Sequence, residues 1–142
     1  MYALIPRMIV RGSGEFAAVA SLTGLVYPRK MAGYGASKSA VINYLASLRY
    51  ELEGTGVRLS CAFPETVCTP MTTDFFVDPG ERARAERSAI TPERVVRALE
   101  NGLARKRFLV VPGAVSKVFW RAERFAPALT RAIQGFDKLD FV

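Results

Sequence analysis

The sequence predicts an α/β fold: a partial parallel sheet of about three strands, with helices on its faces and an amphipathic helix at the C-terminal end. Three observations predict it. Short β-rich runs alternate along the chain with longer segments of helical period. The segments between those runs are long enough to hold crossover helices, which implies right-handed connections and parallel strands. Half of the 142 residues are apolar, enough for a chain of this size to bury a core.

In chain order, residues 1–10 read as a short helical segment interrupted near Pro6, and "RGSG" breaks it. Glu15 to Ala20, "EFAAVA", is a short apolar run bounded by turn residues, which predicts a buried strand. "SLTGLVYPRKMAG" reads as a loop. The clearest helix spans residues 31–53: Val41, Leu45, Leu48 and Leu52 recur on one face, and Gly54 and Gly56 end it. Val57 to Phe63, "VRLSCAF", predicts a second strand that Pro64 stops.

"PETVCTPMTTDFFVDPGE" reads as a long loop or a short-helix region. The following helix has a strong start, with Thr91 as N-cap and Pro92 in the first turn, and the basic residues Arg105 to Arg107 at its end suit the helix dipole. "FLVVP" predicts the third strand, and a last amphipathic helix runs from about Ala114 to Phe136, bent at Pro127. The whole reads as a single domain over 1–142, with 114–142 as a C-terminal helical extension.

Composition removes several function classes. There is no histidine, which excludes a Ser-His-Asp triad and a His-ligated metal; no metal is expected. The two cysteines, Cys61 and Cys68, lack C-x-x-C spacing, so a reduced, cytoplasmic chain is expected. No stretch approaches the roughly 20 apolar residues of a membrane span, and Pro6 and Arg7 interrupt any signal-peptide core. The net charge of +7 suits an anionic partner. Nucleic acid is not expected, because the basic residues lack aromatic interleaving, and a solvated basic face accounts for them.

Ligands of open parallel sheets bind beyond the carboxyl ends of the strands. Ser21 follows the first strand, Tyr34 and Lys38 stand four apart early in the next helix, and Thr69 lies in the loop after the second strand. Residues i and i+4 share a helix face. The Lys38 ammonium beside the Tyr34 phenol would favour phenolate and lower its pKa from about 10. Such a tyrosine can act as acid to a carbonyl or base to an alcohol, with the Ser21 hydroxyl on the same oxygen.

These residues resemble the C-terminal part of a short-chain dehydrogenase/reductase. That family has a Y-x-x-x-K motif, matched by Tyr34 and Lys38, and a serine thirteen residues before the tyrosine, matched by Ser21. "PETVCTPM" resembles the family's P-G-x-x-x-T segment. The resemblance implies a Rossmann-like sheet and a nicotinamide cofactor, NAD or NADP. It implies cofactor contacts from Tyr34, Lys38, Pro64, the backbone near Val67, and Thr69, with a substrate lid after Met71. It also implies a small carbonyl or alcohol substrate and a homo-oligomer formed through the helix at 31–53. An apolar lid and last helix point to a hydrophobic substrate.

Glu65 departs from the family's glycine; its side chain either crowds the nicotinamide pocket or points outward. The Gly-rich T-G-x-x-x-G-x-G turn does not occur, and "RGSGEF" precedes a strand instead of following one. The expectation is therefore a fragment, a truncated product or a mis-assigned start. Two other readings stand beside the enzyme: a non-catalytic oligomerisation module, and a basic protein that meets a membrane surface through its last helix.

Overall fold

The computed structural model describes residues 3–75 and 78–133. Three parallel strands, β1 (Gly14–Val19), β2 (Val57–Ala62) and β3 (Leu109–Val110), form one sheet in the order β1-β2-β3. Seven α-helices accompany them among the described residues: α1 (Ile5–Arg11), α2 (Ala32–Glu51), α3 (Pro70–Phe75), α4 (Pro79–Ser88), α5 (Pro92–Ala104), α6 (Ala114–Phe125) and α7 (Pro127–Ile133). The α/β architecture and the parallel three-stranded sheet are those the sequence predicts.

β2 is the centre of the molecule, buried on both faces. Val57, Leu59, Cys61 and Phe63 pack with Ile5 of α1 and with Leu45 and Leu52 of α2. Ala62 packs with Val95 of α5 and with Ile90. This alternation is the period of two that a strand imposes, and a parallel strand covered on both sides reads as a nearly continuous apolar run. Cys61, Ala62 and Phe63 are fully enclosed. β1 lies at the edge, and its residues alternate between half-buried and exposed rather than forming the buried strand expected.

Several boundaries differ from those read in the sequence. Pro6 starts α1 instead of interrupting it, because a residue in the first turn needs no amide hydrogen. The core stripe of α2 contains Ile42 in place of Val41, which is exposed, while Leu45 and Leu52 hold as expected. Of the two readings for the region after Pro64, the short-helix one holds: α3 and α4 occupy much of it, Asp78 caps α4, its Oδ1 accepting the Glu81 N–H at 2.8 Å, and Pro79 opens the first turn. The predicted C-terminal helix is two helices, broken at Ala126 ahead of Pro127. Its expected continuation to Phe136 lies outside the described residues.

The expected start of α5 is as read: Thr91 Oγ1 accepts the Arg94 N–H at 3.3 Å. The Glu93 carboxyl is held below its ordinary range by its own backbone N–H and then by the Thr91 hydroxyl. Arg105 to Arg107 lie past the last turn, where Lys106 takes the left-handed conformation at φ 54° and swings the chain into β3.

Candidate active site

The chain leaves the carboxyl end of β1 still paired to its neighbour. The Ala20 N–H donates to the Ala62 carbonyl, and the Leu22 N–H donates to the Pro64 carbonyl, both at 2.8 Å. Ser21 is held between these two bonds, buried at 8% exposure. It then caps a single 3₁₀ turn, Leu22–Gly24, its Oγ accepting the Thr23 N–H at 3.2 Å. That bond uses a lone pair of the hydroxyl and leaves its hydrogen to donate elsewhere.

The same turn docks on α2. Ser39 Oγ donates to the Gly24 carbonyl at 2.9 Å. A Cβ on Gly24 would stand 2.6 Å from Ile42 Cδ1 and 2.9 Å from the Lys38 backbone carbonyl carbon. A Cβ on Gly35 would stand 3.3 Å from the Thr23 oxygen. The turn and the helix therefore approach backbone to backbone, and glycine permits it. Ser21 is in this way carried to the stretch of α2 that bears Tyr34 and Lys38.

Tyr34 and Lys38 are both half-buried, and the Lys38 ammonium lies 5.4 Å from the centroid of the Tyr34 ring. Ser37 Oγ donates to the Tyr34 carbonyl at 2.7 Å. Tyr34, Lys38, Ile42 and Leu45 follow one face at helical spacing, polar at the N-terminal end and apolar where the sheet begins. Lys38 is close enough to the sheet for its charge to act on Cys61. The Cys61 thiol is pushed up to about 11 by burial, which outweighs its hydrogen bond with the Ala20 backbone and the attraction of Lys38.

The loop after β2 is pinned from the opposite side. Val67 forms an isolated parallel bridge with Ile90, the Cys68 N–H donates to the Ile90 carbonyl, and the Ile90 N–H donates to the Thr66 carbonyl, each bond at 2.9 Å. Thr69 Oγ1 turns back on the Val67 carbonyl at 3.4 Å, and Thr72 Oγ1 donates to the same oxygen. Pro64 thus stands against the Ser21 turn, while Val67 and Thr69 are held by the segment ahead of α5. All three, like Ser21, lie past the carboxyl ends of their strands.

The Glu65 carboxylate reaches the start of α6. A Cβ on Gly113 would meet its Oε1 at 2.3 Å and Ser116 Oγ at 2.7 Å. A carboxylate there complements the helix dipole; Glu65 packs against the start of α6, which neither of the two expectations for it named.

Sequence reasoning overlooked Gly24, Gly35 and Ser39, which act by letting two elements touch. Their signal was present: small residues one helical turn apart on α2, opposite a glycine in the preceding loop. Among the described residues, no group of three or more His, Cys, Asp and Glu side chains is placed to hold a metal.

Comparisons with known proteins point the same way. A family model for short chain dehydrogenase matches residues 1–79. Ketoacyl reductase HetN from Nostoc is 36% identical over 99 residues, covering 69% of this chain and 34% of that protein. Human 17-beta-hydroxysteroid dehydrogenase 13 is 31% identical over 135 residues, covering 92% of this chain and 42% of that protein. A short chain dehydrogenase from Burkholderia cenocepacia, solved in complex with NADP, superimposes with a TM-score of 0.77 at 22% identity, covering 94% of this chain and 52% of that one. The chain thus spans less than half the length of the curated relatives it matches.

Proposed function

From the premise that this chain belongs to the short-chain dehydrogenase/reductase family, we propose that it carries the acid/base half of an NAD(P)-dependent oxidoreductase acting on a carbonyl or alcohol. The observation that carries the reading is the backbone docking of the Ser21 turn onto α2 beside Lys38. It brings a serine hydroxyl to the helix that holds the tyrosine and the lysine.

The residues present fit the nicotinamide-ribose end of the cofactor. Lys38 offers an ammonium to ribose hydroxyls, Thr69 offers a hydroxyl, and Pro64 and Val67 offer backbone at the strand ends. A bound nicotinamide supplies the hydride for reduction and accepts it for oxidation.

In the reducing direction, the Tyr34 hydroxyl gives its proton to the carbonyl oxygen. The Lys38 ammonium stabilises the negative charge left on the ring oxygen. Ser21 donates its free hydrogen to the substrate oxygen and fixes its position. In the oxidising direction, Tyr34 takes the alcohol proton back. The relatives named for ketoacyl and hydroxysteroid substrates support an apolar substrate.

Turnover is followed by NADH or NADPH absorbance with an apolar ketone. Tyr34→Phe is expected to lower it by a factor of about 100 or more, the usual worth of a positioned acid/base. An unchanged rate in Tyr34→Phe sinks the assignment.

A second reading is favoured by α2 itself, which exposes Val41, Tyr44 and Tyr50. On that reading the chain acts as an oligomerisation module derived from the family. A stable dimer on sizing, with no cofactor fluorescence change at millimolar NAD(P)H, would select it.

A further inference from the structure

Helix α6 buries polar groups while leaving part of its apolar surface exposed. Its inward side carries Ser116, 1% exposed, Glu123, whose Oε2 is enclosed, and the half-buried Phe119 and Trp120. Neither Ser116 Oγ nor Glu123 Oε2 has a hydrogen-bond partner among the described residues. Its outward side carries Val115, Val118 and Phe125, which are 77%, 67% and 79% exposed. Ala122 lies between them in angle, since the spacings of three, four and seven residues fall on one face. Across the break at Ala126, α7 adds Leu129 at 56% exposure.

A contiguous apolar face of this kind marks a contact with something outside the molecule. The charges beside it indicate what. Lys117, Arg121 and Arg124 are exposed and follow one another at i, i+4 and i+7, forming a basic arc beside the apolar one. The only acidic residue of α6, Glu123, is the one turned inward. The outward half of the helix therefore presents three cations, no anion and a strip of valine and phenylalanine.

We propose that α6 lies flat on an anionic phospholipid surface, with Val115, Val118 and Phe125 entering the boundary of the acyl chains and Lys117, Arg121 and Arg124 meeting the headgroup phosphates. No helix among the described residues is long and apolar enough to cross a membrane, so the contact is interfacial. A second copy of this chain fits less well. Pairing the face with itself in antiparallel fashion about a two-fold axis sets three cations beside three, and like charges at an interface oppose association. The proposal does not depend on the roles of Ser21, Tyr34 and Lys38. It would place the protein where apolar substrates concentrate.

The test is flotation of the full chain with vesicles of phosphatidylcholine alone and of phosphatidylcholine with about a third phosphatidylserine. The chain is expected to float with the anionic vesicles and to be released by salt. Each of Lys117→Gln, Arg121→Gln and Arg124→Gln is expected to weaken binding about five-fold. The double variant Val118→Ser, Phe125→Ser is expected to abolish it. Both positions are exposed, so a circular dichroism melt matching the parent's shows that the fold survives. Should that variant unfold, the three charge variants carry the test. No flotation with either vesicle, equal flotation with both, or binding unaffected by these changes overturns the proposal. A dimer on sizing that Val118→Ser, Phe125→Ser dissociates, with no flotation, also overturns it and gives the face to a second copy.

Discussion

Cys61 and Cys68 show at the residue scale how position sets chemistry. The sequence places one in a strand and one in a loop, and the structure encloses the first and exposes the second. With its thiol pushed up to about 11 by burial, Cys61 has almost no thiolate at neutral pH. Iodoacetamide followed by mass spectrometry is expected to label Cys68 alone in the native chain and both cysteines in denaturant. Rapid native labelling of Cys61 would contradict its burial. The sign of the pH effect follows from the same shift. The unfolded chain loses the Cys61 proton at its ordinary value near 9, and the folded chain holds it to about 11. Stability from this group is therefore complete below pH 9 and falls as pH rises through that window. Denaturant midpoints of the parent are expected to drop across pH 9–11 more than those of Cys61→Val, and parallel curves would argue against the linkage. Tyr34, Lys38 and Ser21 could be proposed from the sequence because their spacing is local or fixed by one loop. The partner of Glu65 was not, because Gly113 lies almost fifty residues away and only the fold brings it near.

The contact that organises the site at the element scale is between the 3₁₀ turn and α2. It rests on Gly24, whose absent side chain leaves room for backbone atoms of Lys38 and Ser39 that cannot move aside. Gly24→Ala is expected to push the turn away from the helix, break the Ser39–Gly24 hydrogen bond and carry Ser21 away from Tyr34 and Lys38. The measurement is a melt together with turnover: overpacking of this kind costs about 1–3 kcal/mol, and activity should fall further than Ser39→Ala lowers it. An alanine that leaves both unchanged would show that the approach is looser than described. The elements themselves were largely readable. α2 and α5 announce themselves through period and caps, while α4 was obscured by its charged sequence "PGERARAERS", which has no apolar stripe, and is held by Asp78 at its cap. The stripe of α2 was misjudged by one residue, Val41 for Ile42, since 3.6-residue periodicity admits either and the sheet selects one.

At the scale of the whole molecule, the described sheet has β2 at its centre and β1 paired on one side only. Val19 is 56% exposed at that edge, and an open strand edge invites another strand. Light scattering of the parent is expected to rise with concentration, and a charged edge variant, Val19→Lys, is expected to suppress it without lowering the melting temperature. Scattering equal in both would remove the edge as the cause. The sequence by itself determined the α/β class, the parallel sense of the strands implied by strand–helix alternation and the family to which the chain belongs. These depend on period, caps and short spacings, which are local properties of the chain. Only the tertiary structure decided that the Ser21 turn meets α2 through Gly24, that Glu65 meets the start of α6, and that α6 turns Val118 and Phe125 outward. Each of those is a choice of which surfaces touch, set by packing between residues distant in sequence, and no local pattern encodes it.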